Sequence, residues 1–430
     1  MKIPIERFEL DNGLRVVLSE DHANPVVGLN IWYDVGSKNE QPGRTGLAHL
    51  FEHMMFQGTE HLDETAHIAH VERVGGSLNG STWLDRTNYY ETVPAHHLEL
   101  ALWLESDRMG WFLPALTQEK LDNQREVVKN ERRQRVDNQP YGDWDERLQE
   151  LVFPDDHPYH HSVIGSMDDL DAASLEDVRD FFRTYYAPNN AVLTLCGDFD
   201  PAEAKRLIEK WFGPIPRGPE VPPLPGRPVP EPFKVGGQRR RVIEGDVPLP
   251  RVYFGFRVRP YGDHDYYVAD VLSELLAGGK SARLYRGLVR ERRLARGVAA
   301  FVLPIVTGAS ALFARGNVPA GGSAEALEKA MLDEFAALAA EPPSEAELER
   351  AVTGLCARHV MDLQKVSERA DQISMLTTYF DDPELINTEL DRYRAVTAED
   401  VRRVAAEYLS DDNRVVLVYL PAPAAAEVAA

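Results

Sequence analysis

Two histidines and a glutamate stand close together in one short stretch, and their spacing suits metal chemistry. His49 and His53 are four residues apart, with Glu52 between them. On an α-helix, side chains four residues apart project from the same face, so both imidazoles can reach one metal ion. Glu52 lies three residues after His49, close enough to act on a water held by that ion. The order His-x-x-Glu-His reverses the commoner His-Glu-x-x-His signature of zinc proteases.

The same residues are equally compatible with a polar helix face that binds no metal. A catalytic zinc needs three protein ligands and one open position, so a third ligand must come from elsewhere in the chain. The helix predicted to start after Thr117 offers three candidates, Glu119, Glu126 and Glu131. Glu131 shares a helix face with Gln124, seven residues earlier. Spacing alone does not choose among the three glutamates.

The composition is that of a multidomain globular protein. At 430 residues, with 43% hydrophobic and 27% charged residues, the chain is expected to form two to three domains. The net charge of −22 argues against nucleic acid as a partner, because phosphate binding needs clustered positive charge. Only Cys196 and Cys356 occur, so no disulfide framework or cysteine-rich metal site is expected.

The sequence predicts no membrane span and no signal peptide. No run of about 18 apolar residues occurs, and residues 1–10 lack the apolar centre of a leader. The chain is therefore expected to be soluble. The choice between a cytoplasmic protein and a mature exported, periplasmic one stays open.

The pattern of apolar residues and turn signals predicts a mixture of strands and helices. Residues 8–18 read as a hairpin whose turn is Asn12-Gly13. Further strands are predicted at 26–33, 77–82, 87–93 and 191–195, and helices at 64–74, 98–109, 117–134 and 175–185. Residues 214–232 contain nine prolines, which excludes a helix or sheet interior and predicts an extended linker.

The second half of the chain repeats the first. The segment 174–195 recurs at 397–418 with a constant offset of 223 residues, and seven of the 22 positions match. The expected fold is α+β, with two homologous lobes produced by an internal repeat, each a mainly antiparallel sheet packed with helices. The lobes are placed at 1–213 and 235–430, joined by a linker at 214–234. Residues 271–279, where the metal motif should recur, contain no histidine.

Four segments together carry a family resemblance. They are 46–59 around the histidines, 76–82 with 87–90, 124–131, and 278–285 in the second half. In these segments the chain resembles the insulinase/pitrilysin family of zinc metallopeptidases, close to its bacterial branch, which is similar to mitochondrial processing peptidase. The resemblance extends over nearly the whole chain, including its two-lobed repeat.

The resemblance implies a role for each residue of the metal motif. It assigns His49, His53 and Glu131 as ligands of one Zn²⁺ per chain, and Glu52 as the general base. The family's third ligand closes an eight-residue segment that matches 124–131, which selects Glu131 over Glu126. The first position of that segment is usually a glutamate that supports the ligands; here it is Gln124, which can hydrogen-bond but brings no charge.

The resemblance also implies how peptide substrates bind. Residues 78–82 match an edge strand that binds substrate by strand addition, which makes Leu78, Asn79, Gly80 and Ser81 candidate contacts. The alternative is an ordinary core strand. The remaining histidines are interpreted as surface or loop residues rather than ligands: His67, His70, His96, His97, His157, His160 and His161.

The second lobe departs from the family pattern. Active members supply an Arg and, seven residues later, a Tyr near the scissile bond. Arg290 fits the first position, but the second falls on Gly297, or on Arg296 if one residue is missing. The expected function is therefore zinc-dependent endopeptidase action on peptides or unfolded polypeptides, as the catalytic subunit of a heterodimer whose homologous partner supplies the Arg/Tyr pair. The alternatives are a self-sufficient homodimeric oligopeptidase and a non-enzymatic structural or peptide-binding member.

Overall fold

The structure, a computed structural model, describes residues 2–226 and 233–422, and the elements named below are those of the described residues. The strands are β1 (Glu6–Glu9), β2 (Arg15–Glu20), β3 (Val26–Tyr33), β4 (Ser77–Thr82), β5 (Thr87–Pro94), β6 (Ala191–Gly197), β7 (Arg239–Gly245), β8 (Arg251–Val258), β9 (Gly297–Val302), β10 (Ser310–Asn317) and β11 (Arg414–Pro421).

The helices occur in groups between the strands along the chain. They are α1 (Leu47–Met54), α2 (Ala66–Arg73), α3 (Leu98–Trp111), α4 (Gln118–Arg132), α5 (Trp144–Val152), α6 (Met167–Ala172), α7 (Leu175–Tyr185), α8 (Pro201–Phe212), α9 (His264–Ala277), α10 (Ala324–Ala340), α11 (Glu345–Asp362), α12 (Val366–Phe380), α13 (Glu389–Arg394) and α14 (Ala398–Tyr408). Two short π-helices, Arg133–Asp137 and Tyr285–Glu291, also occur. No helix among the described residues combines the length and apolar character needed to cross a bilayer.

The chain forms two compact units, each assembled from separate stretches of sequence. Unit 1 contains the described residues of Met1–Arg132, His161–Gly226 and His359–Glu389. Unit 2 contains the described residues of Arg133–His160, Arg227–Arg358 and Leu390–Ala430.

Unit 1 is built on a six-stranded sheet in the order β1-β2-β6-β3-β5-β4. The predicted hairpin is present: Phe8 pairs with Val16, and Gly13 takes the positive φ of 89° that the turn requires. The central strand β3 is buried on both faces, because its side chains alternate between two packed layers. Trp32 points toward α12, where its indole N–H donates to Asp371 at 2.7 Å.

Unit 2 is built on a five-stranded sheet in the order β7-β11-β8-β10-β9. Strand β11 is parallel to β7 and antiparallel to β8, as β6 is parallel to β2 and antiparallel to β3 in unit 1. The α+β class and the repeat predicted from the sequence are confirmed. The repeated helices α7 and α14 both begin with a capping box, from Ser174 and Thr397 respectively.

Each compact unit includes one segment from the other half of the sequence. Helix α12 packs on β3 and β6 and so belongs to unit 1, while α5 packs on β8 and β11 and belongs to unit 2. The boundaries at 213 and 235 therefore stay a prediction about the repeated halves. In the proposed linker, residues 216–224 have no regular secondary structure. Residues 227–232 of that linker lie outside the described residues.

Candidate metal centre

The helix that carries the two histidines is capped by a buried carboxylate. Gly46 precedes α1 with φ 85°, and a Cβ there would lie 2.6 Å from the Ile164 carbonyl oxygen, so only glycine fits. The Glu40 side chain accepts hydrogen bonds from the backbone N–H groups of Gly46, at 2.9 Å, and Ala48, at 2.7 Å. This carboxylate stabilises the positive end of α1 and sets where the helix starts.

A histidine from a distant loop completes this cap. His161 Nε2 lies 2.9 Å from Glu40 Oε2, and Glu40 itself is buried. Burial raises the pKa of Glu40, and the hydrogen bond from His161 opposes that rise. The sequence predicts only a surface or loop position for His161, because 121 positions separate it from Glu40 and no local pattern links them.

The structure brings His49, His53 and Glu131 together. Glu131 Oε2, from α4, lies 3.8 Å from His49 Nε2 and 3.3 Å from His53 Nε2. The two imidazole centroids are 4.8 Å apart, as the spacing of four on α1 requires. The side chains of His49, His53 and Glu131 are 14%, 23% and 17% exposed, so the cluster is shielded and still reachable from solvent.

This donor set fits a zinc ion. The ligand atoms all lie within 4.8 Å of one another. Tetrahedral zinc with bonds of about 2.0–2.2 Å separates its ligand atoms by roughly 3.3–3.6 Å, close to the observed distances. Two imidazoles and one carboxylate leave a fourth position open, which is the arrangement of a catalytic site rather than a structural one.

The structure also separates the three glutamates that spacing left open. Glu126 is exposed and pairs with Lys129 at 3.1 Å, and Glu119 is exposed near the start of α4. Only Glu131 joins the histidines. Gln124 is buried on α4, two turns before Glu131, and its proposed part in supporting the ligands stays a prediction.

Glu52 lies on the same helix beside an edge strand. Its Oε2 accepts a hydrogen bond of 2.6 Å from the Thr82 hydroxyl. Burial raises the pKa of Glu52, and the bond from Thr82 partly offsets that effect. A Cβ at Gly80 would lie 3.2 Å from Glu52 Oε1 and 3.1 Å from the Tyr89 ring, so glycine leaves room between the strand and the carboxylate.

Strand β4 lies at the end of the unit 1 sheet and pairs only with β5 within that sheet. Leu78 and Ser81 are half-buried and Asn79 is exposed, while Gly80 is buried against Glu52. Ser81 is fixed by Arg86, which donates to its carbonyl oxygen at 2.8 Å. An edge strand next to the metal cluster has a free side for a peptide, although substrate binding by these residues stays a prediction.

Arg290 belongs to unit 2, where it is exposed at the end of the π-helix Tyr285–Glu291. Of the two positions considered for the family's tyrosine, Gly297 begins β9, and the backbone N–H of Arg296 donates to the Asn317 carbonyl oxygen. The role of Arg290 in substrate binding stays a prediction.

A second cluster of ionisable groups lies in the core of unit 1. His67 Nε2 is 2.5 Å from Glu91 Oε1 and 3.8 Å from Glu105 Oε1, and Glu105 pairs with Arg108. Burial lowers the pKa of His67 to about 3 and raises that of Glu91 to about 7. The prediction that His67 is a surface or loop residue is wrong, because it lies buried on α2.

This second cluster is better suited to packing than to metal binding. The guanidinium of Arg108 already pairs with Glu105, and its charge opposes a metal ion beside it. Arg108 stacks on the ring of Tyr89, with its central carbon 4.1 Å from the ring centroid. Among residues 2–226 and 233–422, groups with metal-ligand geometry are these two, and both lie in unit 1.

Comparison with known proteins identifies relatives along the whole chain. Residues 15–155 match the family described as "Insulinase (Peptidase family M16)", and residues 172–355 match "Peptidase M16 inactive domain". The chain is 31% identical to the "Zinc protease PqqE" of Helicobacter pylori, over 97% of this chain and 93% of that protein. It is 26% identical to the "Probable mitochondrial-processing peptidase subunit beta" of Arabidopsis thaliana, over 94% of this chain and 76% of that one.

The fold comparison agrees with the sequence comparison. The crystal structure of a protease from Helicobacter pylori superposes with a TM-score of 0.92 at 29% identity, covering 98% of this chain and 100% of that one. The matched first segment contains His49, His53, Glu52 and Glu131, and the segment described as inactive contains Arg290. The shared sequence, the shared fold and the position of the reversed motif lead to one conclusion: the chain belongs to the M16 (insulinase) family of peptidases.

Proposed function

We propose that this chain is a zinc-dependent endopeptidase that hydrolyses peptides or unfolded polypeptides. The observation that carries the proposal is the convergence of His49, His53 and Glu131, 3.3–3.8 Å from imidazole nitrogen to carboxylate oxygen, with Glu52 on the same helix. Relatives named zinc proteases support the choice of metal and of reaction.

Each residue at the site has a distinct role in this proposal. Zinc held by His49, His53 and Glu131 would polarise a peptide carbonyl and lower the pKa of a water from about 15.7 to about 7. Glu52 accepts the proton of the attacking water and passes it to the leaving amine. Burial of Glu52 favours its protonated form after the first step, and the Thr82 hydroxyl keeps the carboxylate oriented.

Substrate binding is proposed to use the free edge of β4. An extended peptide can add to this edge through backbone hydrogen bonds, which do not depend on side-chain identity. Leu78, Asn79, Gly80 and Ser81 would contact the peptide beside Glu52. This arrangement accounts for action on unfolded chains, because a folded substrate rarely presents an unpaired extended strand.

A homologous partner subunit is proposed to complete the site. The second half has Arg290, but Arg296 and Gly297 stand where the family's tyrosine is expected. A partner that carries both groups would supply a phenol that this chain lacks at those positions. The proposed assembly is therefore a heterodimer in which this chain provides the zinc ligands and the base.

Zinc content and peptide cleavage test the proposed chemistry together. Purified chain should contain close to one zinc per chain and cleave an unstructured peptide, with its partner present if cleavage needs one. Glu52→Gln should retain zinc and lose about 10²–10⁴-fold in kcat, the usual contribution of a general base. Glu131→Gln should lose zinc, whereas the matched exposed control on the same helix, Glu126→Gln, should keep both zinc and cleavage.

Two results would contradict the proposal. A chain free of zinc after purification in zinc-containing buffer would favour a non-enzymatic role, as would unchanged cleavage in the Glu52→Gln variant. For the partner, cleavage by the isolated chain is compared with cleavage by its mixture with a homologue that has the Arg/Tyr pair. Equal rates, with a dimeric mass for the isolated chain, would replace the heterodimer with a homodimeric oligopeptidase.

A further inference from the structure

Unit 2 contains a basic cavity in an otherwise acidic chain. The segment 280–296 has seven lysines and arginines and one acidic residue, Glu291, although the whole chain carries a net charge of −22. Lys280, Arg286 and Arg290 from this segment line a cavity of about 650 Å³ together with Arg350 from α11. That volume is within the range of about 300–1,000 Å³ that is typical of small-ligand sites.

The fold holds these cations on one side of an unusual helix. Arg286 and Arg290 lie four residues apart on the π-helix Tyr285–Glu291, while Gly287 and Leu288 are buried on its other side. π-Helical turns are rare and occur frequently at functional sites. Apart from Glu347, the other residues that line the cavity are serines and an alanine. Their side chains are short, so the long basic side chains determine the chemistry of the cavity.

The single acidic residue lining the cavity is already neutralised. Both carboxylate oxygens of Glu347 accept from Arg283, each at 3.0 Å, and Oε2 also accepts from Ser344. Glu347 therefore does not compensate the other cations. Glu334 of α10 acts on Arg286 through space, without an ion pair between them.

The side chains of the remaining cations make almost no direct bond to the protein. In the part of the chain that the structure describes, the side chains of Lys280, Arg286 and Arg290 form no hydrogen bond or ion pair. Arg350 makes only a weak bond of 3.5 Å to the Ala346 carbonyl oxygen. The first turn of the 18-residue helix α11 also borders the cavity and adds the positive end of its dipole.

We infer that this cavity is an anion-binding site that takes the carboxylate groups of an acidic peptide segment. Guanidinium groups bind carboxylates through paired, charge-assisted hydrogen bonds, and the hydroxyl of Ser281 adds a further donor. No aromatic residue lines the cavity, so bases cannot stack there, and Ala346 is its one apolar residue, which does not suit an acyl chain. The choice of a peptide as the source of the carboxylates rests on the proposed function.

Peptide binding to an inactive chain tests this assignment without cleavage. The full chain with Glu52→Gln is titrated into two fluorescein-labelled ten-residue peptides that differ only in four glutamates or four glutamines, and anisotropy is measured. The glutamate peptide is expected to bind at least about tenfold more tightly at low ionic strength, with the difference shrinking as salt increases.

A charge-matched pair of variants identifies the site. Adding Arg286→Gln and Arg350→Gln is expected to weaken binding of the glutamate peptide about tenfold and to leave the glutamine peptide unchanged. The control, Arg206→Gln with Arg402→Gln, removes the same charge from helix positions on α8 and α14, outside the cavity, and is expected to change binding less than twofold. Equal binding of the two peptides, or an equal loss in the control, would overturn the proposal.

Competition distinguishes a peptide from other anions. Unlabelled glutamate peptide should displace the probe at lower concentration than inorganic phosphate, duplex DNA or phosphatidylglycerol vesicles, and the reverse order would overturn the assignment to peptides. If the unsubstituted chain, with its homologous partner present, cleaves neither peptide while the inactive chain still binds the glutamate peptide, the proposed function fails and the anion site stands.

Discussion

The two central sheets share one pattern of strand pairing, yet only one supports a candidate metal site. Tyr33 pairs with Ala191 in unit 1, and Phe256 pairs with Arg414 in unit 2, each shifted by the same 223 residues. At that offset, His49 and His53 correspond to Leu272 and Leu276, both fully buried in α9.

This difference shows that the fold sets the position of the helix, whereas the side chains on the helix determine whether it can bind a metal ion. The histidines of α1 face a partly exposed cluster, whereas the leucines of α9 contribute to the core of unit 2. A duplicated fold can therefore keep the same packing in both copies although one copy has no metal ligands. Substitutions that make the copies more alike, or that disturb what they share, can test this comparison.

The largest effect is expected from making α1 resemble α9. His49→Leu combined with His53→Leu should abolish zinc binding and reduce cleavage on the order of 10³-fold or more, because the metal contributes several kcal/mol to the transition state. The fold should remain, since neither histidine is in the core. Metal analysis, peptide cleavage and circular dichroism check this, and near-stoichiometric zinc in the folded variant would refute the assignment of the ligands.

A smaller effect is expected in unit 2, where Glu347 organises arginines instead of metal ligands. The bond from Arg283 lowers the pKa of Glu347 from 4.5 to about 2. Ionised Glu347 therefore stabilises the fold above pH 4.5, by about 1–2 kcal/mol at neutral pH because solvent screens the ion pair, and this contribution is lost as pH falls from 4.5 toward 2. Glu347→Gln should lower the free energy of unfolding at pH 7, and the difference from the unsubstituted chain should narrow as the pH falls to 3.5.

Urea unfolding of the metal-free chain at several pH values measures this difference. Glu349→Gln, an exposed change on the same helix, serves as the control and should shift stability by no more than about 0.5 kcal/mol. A Glu347→Gln effect that is independent of pH between 7 and 3.5 would show that the ion pair with Arg283 is not its cause.

The smallest effect is expected from the caps of the repeated helices α7 and α14. Ser174 and Thr397 cap equivalent helices by accepting from the N–H groups of Asp177 and Asp400, each at 3.1 Å. Ser174→Ala and Thr397→Ala should each cost about 1 kcal/mol, seen as roughly fivefold faster hydrogen exchange in α7 or α14. If one variant has this effect and the other does not, the two caps are not energetically equivalent.

Local patterns were sufficient to predict much of the fold. The hairpin at Asn12-Gly13, the strands β3 to β6 and the helices α2, α3, α4 and α7 follow from turn residues, capping residues and hydrophobic period. The repeat was visible because the capping boxes and Asn190 or Asn413 recur in register. Both asparagines donate from Nδ2 to the carbonyl oxygen of the tyrosine five residues earlier, at 2.8 Å.

Local sequence patterns predicted only part of the candidate site. The pairing of His49 with His53 follows from spacing, but the choice of Glu131 over Glu126 needed the family resemblance, because both lie on one helix. The bonds that Glu40 and Thr82 make to α1 were not predicted, because these residues come from a loop and a strand that local periodicity does not link to the helix. The same limit explains why His67 was misplaced: its partner Glu91 comes from another element.

The late position of α12 in the sequence affects how unit 1 folds during synthesis. This helix covers one face of unit 1 through Ala370, Ile373 and Leu376, all buried. Strand β6 ends at Gly197, but α12 is complete only at Phe380. At about 5–20 residues per second, the ribosome needs roughly 10–40 s to bridge that interval. During this time the face of the nascent sheet that bears Asn30, Trp32 and Thr194 lacks the helix to which these side chains bond, so unit 1 reaches its final form only when synthesis is nearly over.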